Sequence, residues 1–196
     1  MADFMNRQKY GAVITENLEA TQYGKHLLSL QDDTQDVENG WFGHIGSKIS
    51  REVSGFITPD STTITQNKAV LVAAPCEIFA GFTPEGFADW YFINIKGKPF
   101  RCYELAVNDE FSITEYTIDS IIPYDADAGT GGVTIGNFIT LQAGSNRAKE
   151  ISSLTGTEVF VGEIVDVDSS PLRPYIMING KTPPSFVGIR VQKNSL

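Results

Sequence analysis

The chain has 196 residues, of which 41% are hydrophobic and 20% charged, and its formal net charge is −9. A chain this apolar can bury a core large enough to offset its ordering entropy, which excludes wholesale disorder. Lys and Arg are scattered and form no basic stripe, which argues against a nucleic-acid partner and against an anionic membrane surface.

Residues 1–40 are the least patterned. Lys9 to Thr15 reads as a short extended segment. Asn17 to Leu30, carrying Leu18, Leu27, Leu28 and Leu30, reads as a weak helical turn interrupted at Gly24. Gln31 to Asn39 is polar and acidic and runs into the turn dipeptide Asn39-Gly40. Such a stretch buries little by itself, so it is expected to be a tail or an arm that folds against another surface.

From Trp41 the texture changes. Ile49 to Thr58, Lys68 to Ala74, Asp89 to Ile95, Phe100 to Val107 and Phe111 to Ile118 read as strands. Thr58-Pro59-Asp60-Ser61, Gly81 to Gly86, Lys96 to Pro99 and Asn108-Asp109 read as the turns between them. Along Phe100 to Val107, Arg101, Tyr103, Leu105 and Val107 share one face, and Phe100, Cys102, Glu104 and Ala106 share the other. Asp125 to Gly132 is a Gly-rich linker. Beyond it lie Val133 to Leu141, Val159 to Asp168 with a bulge expected at Gly162, Tyr175 to Ile178, and the alternating Val187, Ile189 and Val191. Turns recur about every 8–12 residues without an amphipathic helix between them, the pattern of sandwiches and barrels. The expected fold is all-β: two small β-sandwich or β-barrel modules preceded by an extended N-terminal arm. The expected division is an arm at 1–40, a module at 41–122, a linker at 123–132 and a second module at 133–196. Residues 1–115 carry 9 basic and 16 acidic side chains, and 116–196 carry 6 and 8, so the first part is the more acidic surface.

No catalytic or metal signature stands out. Asp125-x-Asp127-x-Gly129 suggests a calcium loop, but Gly136 stands where the bidentate Glu is needed. Gly129 to Gly136 resembles a phosphate-cradling loop only in its glycines, since no Lys-Ser/Thr pair and no helix follow. His26 and His44 belong to no triad or zinc motif, and Cys76 and Cys102 read as reduced core thiols. Asp109 with Glu110, and Asp166 with Asp168, read as turn and strand-face charges. Trp41, Phe82, Trp90, Tyr91 and Phe92 are the aromatic residues available to a sugar-binding platform, with core packing as the plainer reading. No secretory signal and no apolar run of about 20 residues is present, and no cofactor is expected.

Val37 to Gly40, Arg51-Glu52-Val53, Arg101 to Leu105 leading to Asn108 to Thr114, Gly136 to Leu141, Gly144 to Arg147 and Phe160 to Val165 together span roughly 37–190. In texture and order they resemble auxiliary head proteins of tailed bacteriophages, the cement or decoration type. That resemblance implies a non-enzymatic virion protein that self-associates, with trimers favoured, and binds the major capsid protein in an assembled lattice. It implies neither nucleic-acid nor membrane contact. An adaptable leading segment suits such a role, and Tyr10, Val13, Ile14, Leu18 and Leu27 are its expected partner-binding residues, with strand addition by Tyr10 to Thr15 onto a partner sheet as one mode. The alternative is a carbohydrate-binding or fibre-tip β module for host attachment. A hydrolase built from scattered carboxylates is the third reading.

Overall fold

In the computed structural model, residues 13–17, 27–74, 93–125, 130–168 and 185–195 are described. The strands in chain order are β1 (Val13–Asn17), β2 (Leu27–Gln31), β3 (Phe42–Lys48), β4 (Ser54–Ile57), β5 (Val70–Val72), β6 (Phe100–Glu104) and β7 (Glu110–Thr114). There follow β8 (Ile118–Asp119), β9 (Ile122–Asp125), β10 (Thr130–Gly132), β11 (Phe138–Thr140), β12 (Ala148–Ile151), β13 (Phe160–Asp168) and β14 (Phe186–Asn194). One four-residue helix, α1 (Thr63–Gln66), is capped by Asp60, whose Oδ1 accepts from the Thr62 and Thr63 amides at 2.8 Å each. The fold is all-β, with two β units, as the turn spacing requires.

The first unit is a closed barrel in the order β2-β4-β3-β5-β6, sealed where β6 returns antiparallel to β2. The second is a seven-stranded sheet in the order β1-β7-β14-β13-β11-β12-β8. A small β9-β10 ribbon stands apart. The bulge expected at Gly162 is present, as the β13/β14 register shifts between Val161 and Gly162. A Cβ there would lie 2.6 Å from Ile189 Cγ2, so only glycine fits beneath the sheet.

Hydrogen bonding groups the chain differently from the expected boundaries. Leu27 to Leu30, read as a helical turn, is extended, because its backbone pairs with β6 and closes the barrel. The polar 31–39 stretch is built in as well: Val37 is fully buried and bridges Asn94, while Asp32 accepts from the amides of Thr34 and Gln35. β7, from the expected first module, lies between β1 and β14 in the sheet of the second. The expected linker at 123–132 carries β9 and β10, and residues 126–129 lie outside the described ones. Tyr175 to Ile178 and most of Asp89 to Ile95 also lie outside them.

Period-two alternation feeds two cores. Leu30, Val37, Phe56, Val70, Val72, Phe100 and Cys102 fill the barrel. Phe42, Leu71, Tyr103 and Leu105, on the other side of the same strands, pack with Phe111, Ile113, Ile139, Phe160, Ile164 and Ile189 of the sheet. This explains the uninterrupted run Lys68 to Ala74: β5 is buried on both faces, so both sets of its residues are apolar. The Phe42 ring lies 5.3 Å from that of Phe160 and 6.1 Å from that of Phe111, joining barrel to sheet.

Two asparagines fasten the same seam with polar bonds. Asn194 on β14 accepts from the Ala69 amide at 2.8 Å and donates to the Ala69 and Leu105 carbonyls at 3.0 and 2.9 Å. Asn146 donates to the Phe42 carbonyl at 2.8 Å, and its Oδ1 accepts from Gln35 and Thr58. Buried amides satisfied this completely rigidify the junction they span.

Candidate functional site

Of the residues expected to meet a partner, Tyr10 and Leu18 lie outside the described ones. Val13 is half-buried and packs against the shared core, and Leu27 pairs with Tyr103 inside the barrel ladder. Ile14 is 42% exposed. The strand expected to add to a partner sheet adds instead to the sheet of its own chain: Val13 pairs with Ile113 and Ile14 with Ser112. Intramolecular pairing costs less ordering entropy than pairing in trans, and Val13 gains burial from it. β1 is thereby the end strand of the sheet, and among the described residues no strand covers its outer edge.

Beside that edge, the outer face of the sheet carries in-register rows. One runs Ile14–Ser112–Gly188–Asp166 across β1, β7, β14 and β13. The next runs Asn17–Glu110–Arg190–Glu163. Ser112 and Gly188 are too small to fill their row, and a trough of about 310 Å³ lies over them. Ile14 forms one wall. The opposite wall is made by Val165 and Asp166, brought side by side by a second register shift between Ile164 and Asp166. A Cβ on Gly188 would lie 3.1 Å from Asp166 Cβ and 3.6 Å from Val165 Cγ2, so both side chains rise over this glycine. At one end, Arg190 donates to Glu110 at 2.7 Å and Gln192 donates to Glu163 at 2.5 Å. Asp166 is exposed and pairs with no cation among the described residues.

The Gly-rich loop holds anions, but they are the chain's own. Glu115 and Glu150 are 4% and 2% exposed. Glu115 Oε1 accepts from the Val133 amide at 2.9 Å. Glu150 accepts from the amides of Ile121 at 2.8 Å and Thr134 at 2.9 Å, and from the Asn137 side chain at 2.7 Å. Gly132, at φ +96°, lies so close to the Glu115 carboxylate that any Cβ would overlap it. Successive backbone amides form the cradle that elsewhere receives phosphate. Here burial first, and the neighbouring Glu150 charge last, push the Glu115 carboxyl above its ordinary value of 4.5, against the pull of two backbone hydrogen bonds. The anchored loops present Ile121, Ile122 and Ile135, each more than half exposed.

The other candidates resolve into structure. His44 is fully buried, its Nδ1–H donates to the Lys68 carbonyl at 2.9 Å, and its Nε2 finds no partner among the described residues. Burial holds its pKa below 6.5. Cys102 is buried in the barrel, which pushes its thiol well above the ordinary value. Trp41 packs on the barrel cluster, whereas His26, Cys76, Phe82, Trp90, Tyr91, Phe92 and Asp127 lie outside the described residues. Asp109 accepts from the Ala106 amide at 2.7 Å in the turn where Asn108 adopts φ +73°. Among the described residues no three His, Cys, Asp or Glu side chains gather as a metal site, and no helix is long and apolar enough to cross a membrane.

Sequence reasoning did not find the trough, Ser112 and Gly188 above all. Nothing local marks them, since their row exists only once four strands from distant parts of the chain are in register. Compared with known proteins, the chain matches no family model, no curated protein and no solved structure.

Proposed function

We propose that this chain is a structural virion protein that binds and stabilises an assembled bacteriophage capsid through contacts with the major capsid protein. The observation that carries the reading is a sheet whose end strand, β1, has no neighbouring strand on its outer side among the described residues, mounted on a body whose two β units are locked together. The barrel ends in itself and offers no edge, and the sheet ends at β1 with its outer edge uncovered among the described residues. An uncovered edge is a template for main-chain hydrogen bonds to another chain. The shared apolar core and the Asn146 and Asn194 bonds hold the edge in fixed relation to the rest of the molecule. A rigid platform loses little conformational entropy on docking, which favours cementing repeated subunits. Self-association in the virion belongs to the same reading.

The test uses heads assembled without this protein. Purified chain is added, bound protein is separated from free by sedimentation, and the heads are challenged by heat and by dilution. Saturable binding with a raised disruption temperature is the expected result. Heads that neither bind the chain nor gain resistance would sink the proposal, and glycan binding by the isolated chain in that case would point to host attachment.

A further inference from the structure

We infer that the trough over Ser112 and Gly188 receives a long cationic side chain, Lys or Arg, carried by an extended segment of a protein partner. The inference rests on the docking role proposed above and names the chemistry of what docks. The walls combine two properties that such a side chain matches. Ile14 and Val165 offer apolar surface to an aliphatic stem, and Asp166 stands at the rim for the charged head. Long basic side chains bury the stem and keep the charge at a polar edge in this way. Glu110 at the end of the trough is engaged by Arg190, leaving Asp166 as the carboxylate that pairs with no described cation. Among the described residues, Glu163 shares the outer face with Asp166, and the Arg190 charge on that face is engaged by Glu110.

Charge also selects the kind of partner. A second copy of this chain would bring another net −9 toward an acidic face, whereas a basic segment gains on approach. The extended segment lies across the outer face, over the row Ile14–Ser112–Gly188–Asp166, and lowers one side chain between the trough walls. Side chains alternate along such a segment, so the residues flanking the cation point to the opposite face.

The experiment titrates the ¹⁵N-labelled chain with a nine-residue peptide alternating lysine and valine, and in parallel with one alternating glutamate and valine. The lysine peptide is expected to shift the amides of Ile14, Ser112, Asp166 and Gly188, and the glutamate peptide is expected to leave them unmoved. Asp166→Lys should weaken the lysine peptide about tenfold or more, since like charges then face each other. Ser112→Phe, which fills the trough with a good strand former, should abolish the shifts while the thermal transition is kept. Equal response to both peptides, shifts located elsewhere, or full binding by Asp166→Lys and Ser112→Phe would overturn the assignment. The same variants on heads separate the two claims. If Asp166→Lys binds heads like the parent, the trough assignment fails and the capsid role stands. If the parent ignores heads yet takes the lysine peptide in the trough, the reverse holds.

Discussion

The barrel and the sheet are built from the same alternating strands and end up with opposite exposures. Every barrel strand has two neighbours, so its backbone polar groups are used internally. The sheet has end strands, and its outer face carries a trough and an acidic row. The difference shows where a β protein of this design keeps its stability and where it can meet another molecule. Closure removes edges, and an open sheet retains them. The two meet at a seam that is apolar at Phe42 and polar at Asn146 and Asn194.

The hardest way to break the comparison is at that seam. Phe42 is fully buried between barrel and sheet, and Phe42→Ala should cost about 3–5 kcal/mol in urea unfolding. The parent should unfold in one transition, with far-ultraviolet dichroism and aromatic fluorescence tracing the same curve. Two resolved transitions would mean that the seam couples the units weakly. Asn194→Ala comes next, at about 2–4 kcal/mol, because the Ala69 amide and the Ala69 and Leu105 carbonyls lose their buried partner. A loss below about 0.5 kcal/mol, the range of an ordinary surface change, would mean that water replaces the amide there.

Acid should act on the two regions with opposite sign. His44 in the barrel has a folded pKa below 6.5, so the folded state binds its proton less readily than the unfolded chain does. Its contribution is present above pH 6.5 and is lost as the pH falls from there toward the folded value. Glu115 in the sheet unit has a folded pKa above 4.5, so the folded state binds its proton more readily. Its contribution is present below pH 4.5 and is lost as the pH rises through the folded value. Difference curves of unfolding free energy against pH, parent minus variant, isolate each group. His44→Asn, whose amide can keep the donation to Lys68, should flatten the acid loss, and Glu115→Gln should flatten the acid gain. Curves of the same sign would refute the assignment. The smallest effect belongs to the outer face, where Glu110→Gln removes an exposed pair with Arg190 and should change stability by about 0–1 kcal/mol.

The elements were legible where the signal is local. Asn39-Gly40 and Lys96 to Pro99 were readable as turns, and Gly40 and Gly97 there adopt φ of +82° and +73°. The two faces of Phe100 to Leu105 were readable from alternation, and Phe100 and Cys102 do enter the barrel while Tyr103 and Leu105 enter the shared core. Leu27 to Leu30 was misleading, since three leucines carry no β-branch and the partner that makes them a strand is about seventy residues away at Phe100 to Tyr103. The Gly-rich stretch read as a linker with only a superficial likeness to a phosphate-cradling loop, and that its amides meet Glu115 and Glu150 could not be read, because the contact joins separate strands.

Alternation and turn chemistry act within a few residues, and so this polypeptide's composition and pattern determined an all-β chain rich in tight turns. Which strands would neighbour one another depends on closing long loops and on filling two cores at once, a balance summed over the whole chain. The tertiary structure alone decided that β2 completes a barrel, that β7 joins the sheet, and that Ile14, Ser112, Gly188 and Asp166 form one row.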